Sequence, residues 1–254
     1  MLNLRSLALF LIALAPAARA EGPAVSALNG KFSLESGRVS AQQQSSAIGI
    51  AQGSVTAPLG HSFGVQLDGQ ATTAYSTFLA AAGLHAFWRD PEVGLFGPIA
   101  SFGGGSGRQT ARIGAEGELY AGLVTLGARA GYQELSLYGQ STSSSGFYGG
   151  RLSLYPLPDL MLALRGGQSG GFSAGGIRLE YQPELFDRRA LSLFVDGAAG
   201  DGSFYRVTAG LRIYFGAQKS LIRRHREDDP QSISATTCPQ TQHQPNGAIH
   251  YCPD

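Results

Sequence analysis

The clearest pattern in this sequence is a one-by-one alternation of apolar and polar side chains. The stretch 205–215, YRVTAGLRIYF, shows it best. Its apolar set is Tyr205, Val207, Ala209, Leu211, Ile213 and Phe215, and its second set is Arg206, Thr208, Gly210, Arg212 and Tyr214. A period of two places each set on one face of a β-strand. The stretch therefore predicts a strand with one wholly apolar face.

The same alternation recurs along the chain and predicts twelve strands. They cover 27–36, 46–57, 61–69, 77–88, 92–102, 109–119, 123–133, 147–155, 160–167, 172–181, 190–197 and 203–215. Helices are not expected in this region, because the 36 glycines interrupt every 3.6-residue apolar stripe. No later stretch has the eighteen consecutive apolar residues that a membrane-spanning helix needs. The prediction is an all-β protein.

The connectors between these strands are predicted to alternate between tight turns and longer loops. The tight class includes 58–61 and 89–91, and the longer class includes SGRVSAQQQ and LSLYGQSTSSSG. Outer-membrane barrels have this alternation, with tight turns in the periplasm and long loops outside. The pattern predicts a transmembrane, antiparallel up-and-down β-barrel. An even strand number places both chain ends in the periplasm.

The first twenty residues predict an export signal rather than part of the fold. Arg5 precedes a short apolar run, and Ala18-Arg19-Ala20 matches a cleavage site. We therefore expect three parts: a signal peptide at 1–20, a barrel at 21–216, and a charged, disordered periplasmic tail at 217–254. Without Arg5 and Arg19, 17 basic residues face 18 acidic ones. This balance argues against a nucleic-acid partner.

A soluble β-sandwich is the alternative fold, because its strands also alternate. Three features favour the barrel. The second face of the strands carries many Gly and Ala residues, no linker divides the strands into two sets, and the last strand ends on Tyr214-Phe215. We expect outer-membrane lipid to contact the apolar face.

Five stretches resemble a known family. They are LNGKFSLESG, PLGHSFGVQLDG, LHAFWRDPEVGL, GAEGELYAG and IYFGAQKSLIRRHREDDP. They are similar to an uncharacterised family of porin-like outer-membrane β-barrels of Gram-negative bacteria, and the similarity runs from about Ala27 to Pro230. The resemblance implies a barrel in the bacterial outer membrane and no catalytic residues. It does not extend to 231–254.

The polar face of the strands predicts the residues that line the lumen. The candidates are Lys31, Asp68, His85, Arg112, Glu116, Glu118, Arg129, Arg151, Arg165, Arg178, Glu180, Asp196, Arg206 and Arg212. Rings of arginine favour anions in a channel. Alternatively, these charges pair between strands and fill the lumen. Twelve strands lie between the filled eight-stranded barrels and the wide porins, so both interpretations stay open.

Aromatic residues at strand ends predict a girdle at the membrane boundary. The set is Trp88, Tyr120, Tyr155, Tyr181 and Phe215. Aromatic rings suit a boundary between lipid and water. The parity of Tyr155 points inward and fits this interpretation less well.

Enzyme chemistry is not expected. His85 is the only histidine inside a predicted strand, and its parity points into the lumen. His61-Ser62 is an adjacent pair but falls in a turn, without an orienting third group. The Gly103–Arg108 stretch lacks the Gly-Lys-Ser/Thr ending of a phosphate loop. No spacing matches a zinc site, so neither a metal nor another cofactor is predicted.

The tail carries two further predictions. Basic residues at 219–226 are followed at once by Glu227, Asp228 and Asp229. Contact with inner-leaflet headgroups or cell-wall material is one interpretation, and a solvated charge run is the other. Cys238 and Cys252 are expected to form a disulfide in an oxidising compartment.

For the whole protein, the sequence predicts a narrow passive channel for small hydrophilic solutes with a weak preference for anions. The alternative is a closed structural barrel that acts as an interaction scaffold in the cell envelope. The sequence does not predict the solute or the oligomeric state.

Overall fold

The chain folds into twelve β-strands and one short helix in the part that the computed structural model describes, residues 22–105, 107–138, 141–184, 189–228 and 230–232. The strands are β1 (Asn29–Ala41), β2 (Gln44–Leu59), β3 (Phe63–Ala74), β4 (Thr77–Asp90), β5 (Gly94–Gly105), β6 (Arg108–Ala121), β7 (Val124–Leu137), β8 (Ser143–Leu157), β9 (Leu160–Ser169), β10 (Phe172–Tyr181), β11 (Leu191–Gly200) and β12 (Phe204–Phe215). The helix, α1, spans Leu221–Glu227. This confirms the predicted all-β class and the number of strands.

The strands form one closed barrel. Each strand pairs antiparallel with its neighbours in sequence, and β1 closes the barrel by pairing with β12 from Gly30↔Phe215 to Ser40↔Tyr205. Closure leaves no free sheet edge, as a membrane-spanning sheet requires. We call the end where β1 begins and β12 ends the terminal end, and the opposite end the hairpin end.

Burial is reversed relative to a soluble protein, which separates the barrel from the sandwich. On β12, Tyr205, Val207 and Leu211 are exposed, whereas Thr208 and Arg212 are buried. The same holds around the barrel, where the outer face is apolar and the inner face carries Arg, Glu, Gln and His. A sandwich would bury its apolar faces. An apolar outside with a polar interior is the arrangement of a transmembrane barrel.

Two bands of outward-facing aromatic residues border the apolar surface. Phe63, Trp88 and Phe96 lie side by side near the terminal end, on paired positions of three strands. Phe78, at the other end of β4, is exposed near the hairpin end. The ten residues from Phe78 to Trp88 span about 33 Å of strand, or about 25 Å along the barrel axis at a tilt of about 40°. This height matches the apolar band of an outer-membrane barrel.

The predicted girdle is wrong for two of its members. Trp88, Tyr181 and Phe215 lie on the outer face near the terminal end, but Tyr120 and Tyr155 are buried inside the barrel. Their positions share the parity of inward-facing neighbours, Glu118 on β6 and Ser153 on β8. Strand-end position alone therefore does not identify a girdle residue.

The predicted division into tight turns and long loops is also wrong. The stretches expected as long loops at the hairpin end continue the strands and close in short turns, such as Gln42–Gln43 and Tyr75–Ser76. All four turn residues have positive φ, as two-residue hairpins require. The longest connector, 182–190, lies at the terminal end. Loop length therefore does not orient this barrel.

Among the described residues, no helix has both the length and the apolar character needed to cross a membrane.

Candidate functional site: a plugged lumen with an arginine wall

The segment before β1 enters the terminal mouth of the barrel. The Ala24 amide donates to the carbonyl of His61 at 2.7 Å, and Arg89 donates to the carbonyl of Ala24 at 3.1 Å. Val25 is buried against the inward rings of Phe87 and Tyr120. Gly64 makes this possible, because a Cβ there would lie 2.6 Å from a methyl carbon of Val25. This segment, 22–28, closes part of the mouth.

The segment after β12 fills much of the remaining mouth. Leu221, the first residue of α1, is fully buried among Tyr155, Met161, Ala163 and Tyr214. Its amide donates to a carboxylate oxygen of Asp159 at 3.1 Å, which anchors the helix at the β8–β9 turn. The apolar contact places α1 inside the mouth rather than outside it.

Basic residues of α1 are tied to the barrel wall. Arg226 donates to the carbonyl of Val124 at 2.8 Å and to the hydroxyl of Thr125 at 3.2 Å. Arg224 is buried over the ring of Tyr214 and donates to the carbonyl of Arg189. His225 lies within hydrogen-bond distance of the Tyr155 and Tyr214 hydroxyls, at 2.9 and 3.3 Å.

A polar cluster joins the two segments in the mouth. The ammonium of Lys219 donates to Asp228 at 2.5 Å and to Ser26 at 2.7 Å, and Ser26 also donates to Asp228 at 2.8 Å. Lys219 further pairs with Glu227 at 3.0 Å. We call residues 22–28 together with 217–228 and 230–232 the plug.

The plug corrects the predicted tail. Residues 217–228 and 230–232 do not form a solvated charge run, because Leu221, Arg224 and Asp228 are buried and both Arg224 and Arg226 donate to backbone carbonyls of the barrel. The charge of this segment suggested exposure to solvent. A polar lumen also offers hydrogen-bond partners to charged side chains, so charge alone does not distinguish the two environments. Residues 233–254, with Cys238 and Cys252 and their expected disulfide, lie outside the described residues, as does the predicted signal peptide at 1–20.

The plug reaches past the mouth into the lumen. The carbonyl of Pro230 accepts hydrogen bonds from Lys31 and Gln66, each at 3.3 Å. Gln66 also donates to Asp68 and accepts from Thr56, so the plug joins the polar network of β1–β3. Gln231 and Ser232 line the cavity beyond.

His85 holds the β3–β6 wall together. Its Nε2 lies 2.9 Å from Asp68 and its Nδ1 2.6 Å from Glu116, and the imidazole is fully buried. Carboxylates accept at both ring nitrogens only when both carry hydrogen. The arrangement joins β3, β4 and β6 and pairs both of these carboxylates with the imidazole.

The opposite wall, β8–β12, is rich in arginine. Its inward arginines are Arg151, Arg165, Arg178, Arg206 and Arg212, and its inward carboxylates are Glu180 and Asp196. We call this set the arginine wall. Five guanidinium groups face two carboxylates, an excess of three positive charges. The predicted lumen charges are therefore not mixed evenly but separated by strand.

Glu180 is the first of the two carboxylates and is fully buried. It accepts from Arg212 at 3.0 Å, from Tyr214 at 2.8 Å and from Ser192 at 2.7 Å, and Arg178 lies 3.3 Å away. Arg178 also stacks over Phe194, 3.8 Å from the ring centroid. Through Tyr214, this carboxylate is one side chain away from His225 of the plug.

Asp196 is the second carboxylate and binds three arginines. Arg165 makes a bidentate pair with it, both bonds 2.7 Å, although β10 lies between their strands. Gly176 opens that route, because a Cβ there would lie 2.9 Å from the Arg165 guanidinium. Arg206 donates at 3.2 Å, and Arg178 lies 3.8 Å away.

The remaining predicted lumen residues lie on β6 and β7. Arg112 donates to Gln133 at 3.0 Å and to Ser169 at 3.2 Å, and it lies over Phe147. Glu118 accepts from the hydroxyl of Tyr120 at 3.1 Å. Arg129 lines a small space between β6 and β9.

A cavity of about 150 Å³ remains behind the plug. Its lining includes Lys31, the five arginines of the arginine wall, and the carboxylates of Glu35, Glu118 and Asp196. We call this space the chamber. Near the hairpin end, Val39, Ile48, Phe172 and Phe204 form a buried apolar cluster inside the barrel. The interior thus has an apolar hairpin end, a basic chamber and a plugged terminal end.

Other sequence candidates do not form sites. His61 and Ser62 lie in the β2–β3 turn, where the His61 carbonyl holds the plug. Gly103–Gly105 complete β5, and Arg108 begins β6. Within the described residues, no group of three His, Cys, Asp or Glu side chains could hold a metal ion. Gln66, Ser192 and Tyr214 also bond to the lumen charges; they were not among the predicted lumen residues, although their inward parity is visible in the sequence.

Comparisons with known proteins support the fold. No protein-family model matches the sequence, and no curated protein matches it significantly. The solved structure of the KdgM porin is similar, with a TM-score of 0.54 at 12% identity, over 71% of this chain and 98% of that one. A structure of the KdgM porin in complex with disordered oligogalacturonate gives 0.53 and 13%, over 71% and 98%.

These observations define the chain as a twelve-stranded transmembrane β-barrel of the outer-membrane type. Identities this low describe the fold alone. The resemblance to an uncharacterised porin-like family stays an expectation.

Proposed function

We propose that this protein is a bacterial outer-membrane channel for small anionic solutes, closed at its terminal end by its own plug. The observation that carries the proposal is the arginine wall, where five guanidinium groups face only two carboxylates. A structural barrel needs inward charges only in balanced pairs, because unpaired buried charge is costly. An unbalanced basic wall fits a lumen that takes up anions.

The KdgM porin, which shares the fold, was solved with oligogalacturonate, a polyanion. This supports an anion-conducting role without identifying the solute of the present chain. The chamber of about 150 Å³ is far smaller than a polymer, so we expect small solutes in the closed form.

We further propose that the terminal end of the barrel faces the periplasm. The charged side chains of α1 and the terminal mouth suit the periplasmic side, where both chain ends of an even-stranded barrel lie. Basic residues such as Arg223 are exposed there, and contact with acidic headgroups or cell-wall material remains part of the proposal.

Planar-bilayer recording tests the function. The mature chain and a variant that lacks 217–254 would each be refolded in detergent and inserted under a salt gradient. We expect little conductance from the complete chain, steady conductance from the shortened one, and a reversal potential on the anion side. Heat-dependent gel mobility confirms folding of both forms.

The scaffold interpretation makes a different prediction. If both folded forms fail to conduct, the barrel is closed by its wall and not by its plug. The channel proposal would then be wrong.

A further inference from the structure

The arginine wall contains hydrogen-bond donors that its own carboxylates do not use. Arg178 Nη2 and Arg206 Nε are buried atoms without a hydrogen-bond partner in the described part of the chain. Both side chains line the chamber. A buried donor without an acceptor costs about 1–3 kcal/mol, so two such donors on side chains that line one cavity favour an acceptor that enters from outside.

Arg151 supplies a second, independent observation. It lies directly opposite Arg165 in the β8–β9 ladder, and like charges in that position destabilise a sheet. Arg165 is paired with Asp196, whereas the hydrogen bonds of Arg151 go to Ser153 and to the sulfur of Met161. In the described residues, no carboxylate lies within ion-pair distance of Arg151. Glu118 and Glu180 act on it only at longer range, so its charge has no directly bonded counter-ion in that part of the chain.

The charge of the wall sets the charge of such a counter-ion. Asp196 neutralises part of the Arg165, Arg178 and Arg206 group, and Glu180 neutralises part of the Arg178 and Arg212 group. Across the whole chamber lining, Lys31 and the five arginines face Glu35, Glu118 and Asp196, and Glu180 pairs with two of the arginines, so about two positive charges remain. A chamber of about 150 Å³ holds a few water-sized groups, which suits one small oxyanion with two negative charges.

We propose that the chamber is a saturable binding site for one small free dianion, held by Arg151, Arg178 and Arg206. Guanidinium groups bind phosphate-type and carboxylate oxygens in bidentate geometry, which explains arginine rather than lysine at these positions. The inference deepens the proposed channel: it makes the chamber a specific site on the route and not merely a basic lining.

Calorimetry with inorganic phosphate tests the site. The complete mature chain, folded in detergent at low salt and pH 8, would be titrated with phosphate. We expect one saturable site, weakened at least tenfold by Arg151→Gln and by Arg206→Gln. The control is Arg38→Gln, the same change at an exposed position of β1, which should leave the affinity unchanged.

A charge-preserving variant separates folding from binding. Arg151→Lys keeps the charge and should retain part of the affinity, whereas a variant that merely disturbs the barrel would lose it together with heat-dependent gel mobility. Anionic lipid added to the micelles should not compete if the site takes a free oxyanion. Competition by lipid would contradict the proposal.

The outcomes distinguish this site from the proposed function. No saturable phosphate binding by the folded chain, or equal binding by all variants, overturns the site even if bilayers show anion conductance. If phosphate binding is saturable and depends on Arg151 and Arg206 but the bilayers show no conductance, the site is supported and the channel proposal is wrong.

Discussion

At the scale of single residues, buried charge is stable in this barrel only where hydrogen bonds surround it. Glu180 accepts from Arg212, Ser192 and Tyr214 and has no exposed surface. Asp196 forms a bidentate ion pair with Arg165, whose side chain reaches across β10. Such groups make little net contribution as intact pairs, but removing one partner leaves the other charge uncompensated.

The substitution Glu180→Gln tests this argument. Two arginines would lose their shared carboxylate in a buried position, so we expect a loss of about 3–5 kcal/mol in the free energy of unfolding. Urea unfolding in detergent micelles, followed by tryptophan fluorescence of Trp88, measures the loss. Glu184→Gln is the control, because its pair with Arg189 is exposed and should change stability by less than about 1 kcal/mol. Equal effects of the two substitutions would contradict the argument.

Residue-level prediction from sequence succeeded and failed for one physical reason. A period of two fixes which face a side chain takes, so the inward positions of Glu180, Arg206 and Arg212 were visible in the sequence. The ion-pair partner of an inward side chain depends on the register of the neighbouring strands and on glycines in the strands between them. The Arg165–Asp196 pair needs Gly176 on the strand between them, and nothing in a single strand's pattern shows this.

At the scale of elements, α1 shows how a charged segment becomes internal. The stretch LIRRHRE has only two apolar residues and resembles a solvated run. Inside a polar mouth, Arg224 and Arg226 donate to carbonyls and lie over aromatic rings, and Leu221 packs in an apolar pocket. The sequence could not show this, because the character of the mouth follows from the whole barrel.

Leu221→Asp should release the plug. A carboxylate at this position would replace the apolar contacts with Tyr155, Met161 and Tyr214 by a desolvated charge, and Asp159, which accepts from the amide of residue 221, would repel it. We therefore expect α1 to leave the mouth while the barrel, closed by its own ladders, stays folded. Limited trypsin digestion should then cut at Arg223 and Arg224 at least tenfold faster than in the parent chain. Arg223→Lys, which keeps the trypsin site at an exposed position that pairs with Glu227, is the matched control and should leave α1 protected. Unchanged protection in Leu221→Asp would refute the plug's dependence on this contact.

Acid should loosen the same element. Burial raises the pKa of Glu227, but hydrogen bonds from Arg223 and Lys219 outweigh it and hold the pKa below its ordinary value. A carboxyl with a lowered folded pKa adds stability that is complete above its unfolded pKa of about 4.3 and is lost as the pH falls through the lower, folded value. We expect α1 to exchange amide hydrogens faster below about pH 4 than at pH 6, after correction for the intrinsic exchange rate.

Glu227→Gln provides the control for this pH effect. The variant lacks the titrating carboxyl, so exchange at α1 should be faster at pH 6 and should change less on acidification. An equal pH response in both chains would assign the effect to another group and contradict the prediction.

At the scale of the whole molecule, the interior is divided by charge. On the β3–β6 wall, the carboxylates of Asp68 and Glu116 both pair with His85. The β8–β12 wall carries the excess of arginine. The barrel, its strand number and the inward set could be predicted from the sequence, because alternation and closure are local and repetitive. The separation of charge could not, because it depends on which strands face each other around the barrel.

The division predicts how selectivity responds to a single reversed charge. Arg151→Glu replaces a guanidinium that has no carboxylate partner in the described residues and sets an opposite charge beside Arg165, which favours folding. In the chain that lacks 217–254, this change removes one positive charge from the chamber wall and adds one negative charge, so the net charge of the wall falls by two. The reversal potential should therefore move toward the cation side. Because the Debye length shortens from about 10 Å at 0.1 M salt to about 3 Å at 1 M, the shift should be larger at the lower concentration.

The matched control for this reversal is Arg38→Glu, which makes the same charge change at an exposed position near the hairpin end. It lies outside the chamber and should leave the reversal potential close to that of the parent. If Arg38→Glu and Arg151→Glu shift the potential equally, the overall charge of the barrel sets selectivity. If only Arg151→Glu shifts it, and most strongly at low salt, the ions pass along the arginine wall, because only charges within a Debye length of the pathway act on them.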